Sequence, residues 1–230
     1  MYLVVTRSFP PEVGGMQSLM WGLTTHISKN FMVKVFADHH NNQKEHDQNV
    51  SFSIERIGGL KIFRKYRKAY LVNEYIKNNK NIKGIIADHW KSLELIKTDK
   101  KKICLIHSKE INHKKGSMLN GRVLKVLNNV DCVVSNSHYT KDLAINCGVS
   151  SEKITVINPG VEEPRDLDKK ALAEAESLLK EKKPRLITVS RYDKRKNHEK
   201  IIMALRNLKQ IYPNIIYISV GYGEEEENIK

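Results

Sequence analysis

Short apolar runs alternate with stretches of helical periodicity along most of the chain. The apolar runs predict buried β-strands over residues 2–6, 32–37, 52–57, 83–87, 103–107, 131–135 and 154–157. The helical periodicity predicts α-helices over residues 16–28, 68–78, 121–127 and 139–146. Strands that alternate with helices favour a twisted parallel sheet covered on both faces, so we predict an α/β fold.

A polar segment rich in His and Asn interrupts this alternation at residues 38–49. Its three histidines, His39, His40 and His46, raise the question of a metal site. Because no carboxylate or cysteine stands at ligand spacing, we interpret the segment as a solvated surface loop and expect no metal ion.

The sequence changes character after Pro159, and this change predicts a boundary between two domains. Residues 162–183 are highly charged, contain a polar-faced helical pattern, and end before Pro184, where a new apolar run begins. We predict a first domain over 1–160, a connection over 161–183 and the start of a second domain over 184–230. The second domain holds one β-α-β unit, and about three to four further strands are expected to complete such a domain.

Positive charge is concentrated in one part of the chain. The formal net charge is +14, and residues 61–115 carry 16 Lys and Arg against 5 Asp and Glu. This segment suits an anionic partner such as acidic lipid, a phosphorylated substrate or nucleic acid, although a solvated surface explains any single lysine. No nucleic-acid recognition motif accompanies the charge, so we expect no nucleic-acid partner.

The cysteines and the hydropathy favour a cytoplasmic location. Three widely spaced cysteines, Cys104, Cys132 and Cys147, do not form a disulfide framework and fit a reducing compartment. The first strand begins at Tyr2 without a basic leader, and no apolar run approaches the ~18 residues of a membrane span.

The loop between residues 190 and 197 carries the firmest chemical signal. It follows an apolar run, contains Arg191 and Lys196, and opens a β-α-β unit that ends in Gly-x-Gly. Ligands of parallel sheets bind at such loops, where arginine grips phosphate oxygens and lysine supplies a mobile charge. We predict a polyanion site, most plausibly for a diphosphate. The alternative is a solvated loop, since Lys194, Arg195 and Lys200 lie nearby.

Gly14 and Gly15 stand between the first strand and the first helix. Glycine lets the backbone approach a ligand closely, and a helix N-terminus offers free N–H groups to a phosphate. Glycine pairs are also common turn devices. The dinucleotide fingerprint G-x-G-x-x-G is absent, which disfavours a nicotinamide cofactor.

His107 lies at the carboxyl end of a predicted buried strand, the edge where open α/β sheets bind ligands. It could hydrogen-bond a substrate hydroxyl or carry a proton, or simply bond a nearby carbonyl. His89, at a similar strand end, is a lesser candidate with the same alternative.

Residues 61–71 mix cations with Phe, Tyr and Leu, which is typical of the interface between head groups and acyl chains. The candidate membrane-surface residues are Arg64, Lys65, Arg67 and Lys68. The alternative is an ordinary helix start whose aromatic side chains turn into the core.

Six segments in this order resemble the retaining GT-B glycosyltransferases of family 4. They are 11–17 (PEVGGMQ), 107–110 (HSKE), 136–149 (NSHYTKDLAINCGV), 152–161 (EKITVINPGV), 190–198 (SRYDKRKNH) and 220–223 (VGYG). The resemblance implies two Rossmann-like domains facing across a cleft, an acceptor on the first, a nucleotide-diphosphate sugar on the second, retained anomeric configuration and no metal or other cofactor. A lipid-linked or cell-surface glycan precursor is the implied acceptor, which fits peripheral attachment to the inner face of a membrane.

The resemblance also assigns roles. Gly14 and Gly15 would approach the donor diphosphate and its sugar, His107 would contact a sugar hydroxyl near the reacting carbon, and Arg191 with Lys196 would hold the departing diphosphate. Preformed cations act where a leaving diphosphate concentrates negative charge.

Three departures from the family pattern shape our expectations. Ser190 and Asn197 stand where the family usually has glycine. The family's Glu-x7-Glu motif would lie beyond Lys230, so we expect a carboxyl-terminally truncated enzyme that is inactive by itself. The competing hypothesis is a non-catalytic protein whose basic face binds acidic membrane or glycan.

Overall fold

The computed structural model of the protein describes residues 1–161 and 166–229. The chain divides into two compact units, Met1–Glu162 and Glu163–Lys230. The strands of the first unit are β1 (Tyr2–Val5), β2 (Val33–Asp38), β3 (Ser53–Ile57), β4 (Gly84–Ala87), β5 (Lys101–Ile106), β6 (Cys132–Ser135) and β7 (Ile154–Val156). Its helices are α1 (Gly15–Ser28), α2 (Gln43–Gln48), α3 (Lys61–Asn78), α4 (Trp90–Leu93), α5 (Met118–Leu127) and α6 (His138–Cys147).

The seven strands form one parallel sheet in the order β3-β2-β1-β4-β5-β6-β7. This confirms the predicted α/β fold with a parallel sheet. The chain moves outward from β1 to β3 on one side and then returns to place β4 beside β1. Ligands of open α/β sheets bind outside the carboxyl ends of the strands at such a switch point.

The core lies on both faces of this sheet because successive side chains of a strand point to opposite sides. Leu3 and Val5 of β1 pack into the cluster covered by α3 to α6, which includes the fully buried Trp90. Val4 packs into the opposite cluster, together with Met20 of α1. Two covered faces explain why the inner strands read as continuous apolar runs.

The sequence pattern missed the short helix α4 and two further stretches of helix. Residues 38–49, predicted as a loop, contain α2, whose Asp47 pairs with Arg56 of β3 at 2.7 Å. Helix α3 begins at Lys61, whereas the prediction placed its start at residue 68. The prediction missed the first two turns because their apolar side chains are exposed and form no core-facing stripe. In both cases contacts or exposure that the local pattern does not encode decide the conformation.

The second unit contains α7 (Lys169–Leu179), β8 (Arg185–Val189), α8 (His198–Ile211), β9 (Ile216–Val220) and α9 (Glu226–Ile229). Strands β8 and β9 pair in parallel and form a separate two-stranded sheet. Among the described residues of this unit, only Tyr192 and His198 are buried. Ile187 and Val189 of β8 are 65% and 73% exposed, so much of this sheet is uncovered.

The connection predicted over 161–183 includes residues 162–165, which lie outside the described part of the chain. Its later part forms α7, which Asp168 caps by accepting N–H hydrogen bonds from Lys170 (2.9 Å) and Ala171 (3.2 Å). Among the described residues, no helix is both long and apolar enough to cross a membrane.

Candidate functional site

A buried carboxylate organises the carboxyl edge of the sheet at the switch point. Asp88 follows β4 and is fully buried. Its Oδ2 accepts hydrogen bonds from Thr6 Oγ1 (2.8 Å) and from the backbone N–H groups of Arg7 (3.0 Å) and Ser8 (3.2 Å). Its Oδ1 accepts one from Ser92 Oγ (3.1 Å). Asp88 thus fixes the backbone that leaves β1.

Lys68 is a second buried charge at this edge. Its side chain is 6% exposed, and its ammonium pairs with Asp38 and donates to the carbonyl of Thr6. Burial lowers the pKa of Lys68, and the carboxylate of Asp38 opposes this shift. The hypothesis that Lys68 lies on a membrane-facing surface is therefore wrong, because its charge is satisfied inside the fold.

The other membrane-surface candidates divide into paired and unpaired cations. Arg64 pairs with Asp38 at 3.3 Å, and Lys65 pairs with Glu94 at 3.0 Å. Hydrogen bonds from Arg122 and Lys65 lower the pKa of Glu94 to about 2, so it stays ionised. Arg67 donates to the carbonyl of Leu60 at 3.1 Å and, among the described residues, pairs with no carboxylate.

His89 is neutral at physiological pH. Burial lowers its pKa to about 3, and the positive charges of Arg7 and Lys91 add to the shift. Its Nδ1 accepts a hydrogen bond from the backbone N–H of Lys91 at 2.9 Å, which places the proton on Nε2. Such a group can donate a hydrogen bond to a ligand at neutral pH but is a poor proton acceptor.

His89 should make the first unit sensitive to acid. The pKa is lower in the folded state than the ordinary value of 6.5, so between pH 6.5 and about 3 the unfolded chain binds the extra proton. The free energy of unfolding of the first unit should therefore decrease as pH falls through this window. His89→Asn, which keeps an acceptor for Lys91, should lose less stability between pH 7 and pH 4.5 than the unchanged protein.

Urea unfolding followed by tryptophan fluorescence measures this difference, because Trp21 and Trp90, the only tryptophans, both lie in the first unit. His26→Asn, on the exposed side of α1, is the matched control. Equal acid sensitivity of His89→Asn and the unchanged protein would contradict the assignment.

His107 directly follows β5, as predicted, and its ring is partly enclosed. Its Nε2 is buried and has no hydrogen-bond partner among the described residues, while its backbone N–H donates to Glu110. The next residue, Ser108, has φ +94°, a conformation that costs a non-glycine residue about 1–3 kcal/mol. Strained backbone beside an unpartnered imidazole nitrogen is typical of a ligand-binding turn. This strain was not predicted from the sequence.

Gly14 is the N-cap of α1 and Gly15 its first residue; the Gln17 side chain lies against Gly14, and the helix start is open at Gly15. No side chain caps it, and its first turn contains no acidic residue. A Cβ on Gly15 would meet no atom within 4 Å. The preceding loop is held by the buried side chain of Arg56, which donates to the carbonyl of Pro10 and stacks on Phe9 at 5.6 Å. An anion can therefore reach the free N–H groups of a fixed helix start.

In the second unit, the loop that carries Arg191 and Lys196 is anchored from within. Tyr192 donates its hydroxyl to the carbonyl of Ser219 at 3.0 Å, and the buried His198 lies 3.0 Å from both Ser190 Oγ and the Tyr217 hydroxyl. No role for His198 was predicted from the sequence. These contacts tie the ends of β8 and β9 to the start of α8, while Arg191 and Lys196 remain exposed.

The departures from glycine at Ser190 and Asn197 have structural accounts. Ser190 supplies the hydroxyl that contacts His198, and Asn197 has φ +59°, a left-handed conformation that asparagine tolerates. The Gly-x-Gly after β9 is required by close approach, since a Cβ on Gly221 would lie 1.8 Å from the Ser190 carbonyl oxygen and one on Gly223 would lie 2.4 Å from that of Tyr192.

The candidate residues divide between the units. Gly14, Gly15 and His107 follow strands of the first unit, and Arg191 and Lys196 follow β8 of the second. No group of His, Cys, Asp and Glu side chains in the described part of the chain is arranged to hold a metal ion.

Comparison with known families decides the classification. The model described as Glycosyltransferase Family 4 matches residues 13–165, about two thirds of the chain. The chain belongs to this family. A second model, Glycosyl transferases group 1, matches residues 169–230. A search of curated proteins finds no match.

Solved structures show the same fold, the Rossmann-like GT-B architecture of glycosyltransferases. Anabaena Alr3699/HepE in complex with UDP has a TM-score of 0.75 at 16% identity, over 99% of this chain and 62% of that one. A glycosyltransferase from Rickettsia africae ESF-5 has a TM-score of 0.70 at 17% identity, over 98% and 61%. Sucrose-phosphate synthase from Thermosynechococcus elongatus has a TM-score of 0.67 at 16% identity, over 95% of this chain and 70% of that one. The family 4 chain described here thus spans about 62% of the length of the first of these structures.

Proposed function

We propose that this protein acts in transfer of a sugar from a nucleotide-diphosphate sugar to a glycan or lipid-linked acceptor, with retained anomeric configuration. The observation that carries the proposal is the anchored loop of the second unit. It presents two exposed cations, Arg191 and Lys196, from a backbone fixed by Tyr192 and His198. Family membership and the UDP complex of the Anabaena protein support a nucleotide-diphosphate ligand at this loop.

The chemistry follows from where charge develops. When the bond between the anomeric carbon and the diphosphate oxygen breaks, negative charge grows on the departing oxygen. Arg191 and Lys196 lower the energy of that state because they place positive charge beside the departing oxygen from an anchored loop. In the first unit, the open start of α1 at Gly14 and Gly15 favours negative charge, and the unpartnered Nε2 of His107 can bond a sugar hydroxyl. In this scheme these groups supply the countercharge, and no metal ion or other cofactor is needed.

Titration with nucleoside diphosphates tests the proposal directly. Calorimetry with UDP, GDP and ADP should show saturable binding of at least one, and binding should weaken in Arg191→Ala and Lys196→Ala. Lys194→Ala, on the same turn, is the control. Absence of binding by all three nucleotides at millimolar concentration would overturn the proposal.

A specific observation also supports peripheral membrane attachment. The first turns of α3 leave Ile62, Phe63, Tyr66 and Tyr70 between 52% and 73% exposed. The aromatic side chains are therefore not turned into the core, which was the alternative in the sequence. Exposed Phe and Tyr beside Lys61 and Arg67 suit the lipid interface, and we propose that this face of α3 binds acidic membrane.

Vesicle co-sedimentation should detect this attachment. Binding should require anionic lipid and weaken as salt rises, because each Lys or Arg at the surface contributes about 1 kcal/mol. Replacing Phe63 and Tyr66 by serine, or Lys61 and Arg67 by serine, should release the protein, whereas Lys77→Ser at the far end of α3 should not.

If the protein stays in the supernatant with acidic vesicles at low salt, the acceptor is soluble and the membrane proposal fails. Membrane binding without any nucleotide binding would favour the competing function, a non-catalytic protein that uses its basic face to hold membrane or glycan.

A further inference from the structure

A pocket of about 150 Å³ opens in the first unit at the switch point between β1 and β4. It is lined by one carboxylate, Asp38, and by six cationic side chains: Arg7, Lys61, Arg64, Lys65, Lys68 and Lys91. A water molecule occupies about 30 Å³ in the liquid, so the pocket has room for a phosphate group with its nearest waters.

The carboxylates around the pocket do not balance its charge. Asp38 is engaged by Lys68 and Arg64, and Glu94 is engaged by Lys65 and Arg122. Asp88 is buried behind Ser92, accepts hydrogen bonds from Thr6, Ser92 and the backbone after β1, and acts electrostatically on Lys68. In the described part of the chain, Arg7, Lys61 and Lys91 therefore remain without a carboxylate partner.

The unpaired cations crowd one another. The ammonium of Lys91 lies 5.2 Å from the Trp90 ring centre, and its pKa is lowered by burial and then by the charges of Arg7 and Arg122, an effect that the carboxylate of Glu94 opposes only in part. Holding like charges together costs free energy unless an anion lies among them. An anion in the pocket would relieve this repulsion.

The pocket wall is rigid, as a built site requires. Asp88 fixes the backbone N–H of Arg7, and Lys68 is bonded to the carbonyl of Thr6. Trp90, which precedes Lys91, is fully buried and donates its indole N–H to the carbonyl of Glu110 at 2.8 Å. The two free cations beside the sheet edge are thus attached to fixed backbone.

We propose that this pocket binds a phosphate group carried by the acceptor. Several cations facing one paired carboxylate match a dianionic phosphate better than a singly charged carboxylate. The acceptor role rests on the proposed transferase function. In that proposal Arg191 and Lys196 of the second unit hold the donor diphosphate, so a phosphate bound in the first unit is assigned to the acceptor. Phosphate binding itself does not depend on that function.

Inorganic phosphate is the first probe. At constant ionic strength set with chloride, phosphate should raise the thermal midpoint of the first unit in a saturable manner. Lys91→Gln and Arg7→Gln should each weaken phosphate binding about tenfold, as expected for a lost charge-assisted hydrogen bond. Lys77→Gln, an exposed lysine at the far end of α3, is the matched control. We avoid Arg64, Lys65 and Lys68 because each is paired within the fold.

The assay is repeated in an Arg191→Ala, Lys196→Ala double variant, which removes the cations of the second unit and should leave phosphate binding unchanged. Lys91→Gln should in turn leave nucleoside diphosphate binding unchanged. Absence of nucleotide binding by the unchanged protein, together with Lys91-dependent phosphate binding, would refute the transferase function alone. Equal phosphate binding by Lys91→Gln, Arg7→Gln and the unchanged protein would overturn the pocket proposal.

Two further probes distinguish the source of the phosphate. A soluble phosphate monoester, glycerol 3-phosphate, represents a free acceptor, and vesicles containing phosphatidic acid represent a lipid head group. If Lys91→Gln and Arg7→Gln weaken binding of either probe, the result supports the pocket proposal. The probe that is affected identifies the phosphate source as a soluble monoester or a lipid head group. If neither probe shows that sensitivity, the proposal is wrong.

Discussion

Replacing Lys196 by alanine, in a chain extended to the full length of its structural relatives, should lower the rate of sugar transfer by about 10²–10³-fold, the usual effect of removing one preformed group that stabilises developing charge. The size of the effect follows from the loop. Its backbone is held by the Tyr192 hydroxyl and by the contacts of His198, so the point from which the Lys196 side chain extends is fixed before the reaction begins. In the described part of the chain, Lys196 makes no ion pair that would compete with a ligand.

Release of nucleoside diphosphate from the donor measures this rate, and the thermal midpoint checks that the fold is intact. Lys194→Ala removes a charge from the same turn, which separates a specific contact from general electrostatic attraction. Arg191→Ala should behave like Lys196→Ala. Turnover of the Lys196→Ala variant equal to that of the unchanged protein would exclude Lys196 from the donor site.

The parallel sheet was predictable because its strands are buried on both faces. Such strands appear in the sequence as continuous apolar runs, as in β4 and β5, and each ends within a residue or two of its predicted end. The start of α3 was not predictable in this way. Its first turns expose Phe63 and Tyr66, so the apolar positions there do not repeat toward a core.

The candidate site was predictable where function depends on residue type at a fixed local position. Glycines before α1 and cations after β8 are local features, and the sequence placed them on the loops where the structure has them. What these residues bind stays a prediction, which nucleotide titration tests.

The charge network at the switch point was not predictable, because its partners are far apart in sequence. Thr6 and Asp88 are separated by 82 residues, and Lys68 and Thr6 by 62. A basic segment looks the same in sequence whether its lysines are solvated or buried, which is why Lys68 was assigned to the surface. An aspartate directly after a buried inner strand, with Ser92 four residues later, was the available signal for Asp88.

Replacing Asp88 by alanine should destabilise the first unit by about 3–5 kcal/mol, the usual cost of removing one member of a buried charged network. The substitution leaves the Arg7 N–H without its acceptor. It removes one of the two acceptors of the Thr6 hydroxyl and of the Ser8 N–H, which keep the Ser8 carbonyl and Thr6 Oγ1 respectively. It also removes a negative charge that favours the protonated form of the buried Lys68. Ser92→Ala, which removes only one of the four hydrogen bonds, should cost about 1 kcal/mol.

Urea unfolding followed by tryptophan fluorescence reports on this unit alone, since both tryptophans lie in it. Asp99→Ala, an exposed aspartate before β5, controls for loss of a negative charge from a basic protein. The order of stability should be Asp99→Ala above Ser92→Ala, and Ser92→Ala well above Asp88→Ala. If Asp88→Ala unfolded at the same urea concentration as Asp99→Ala, the loop after β1 would have to be held by Lys68 and the Thr6 carbonyl. Asp88 would then have no part in fixing the backbone that lines the phosphate pocket.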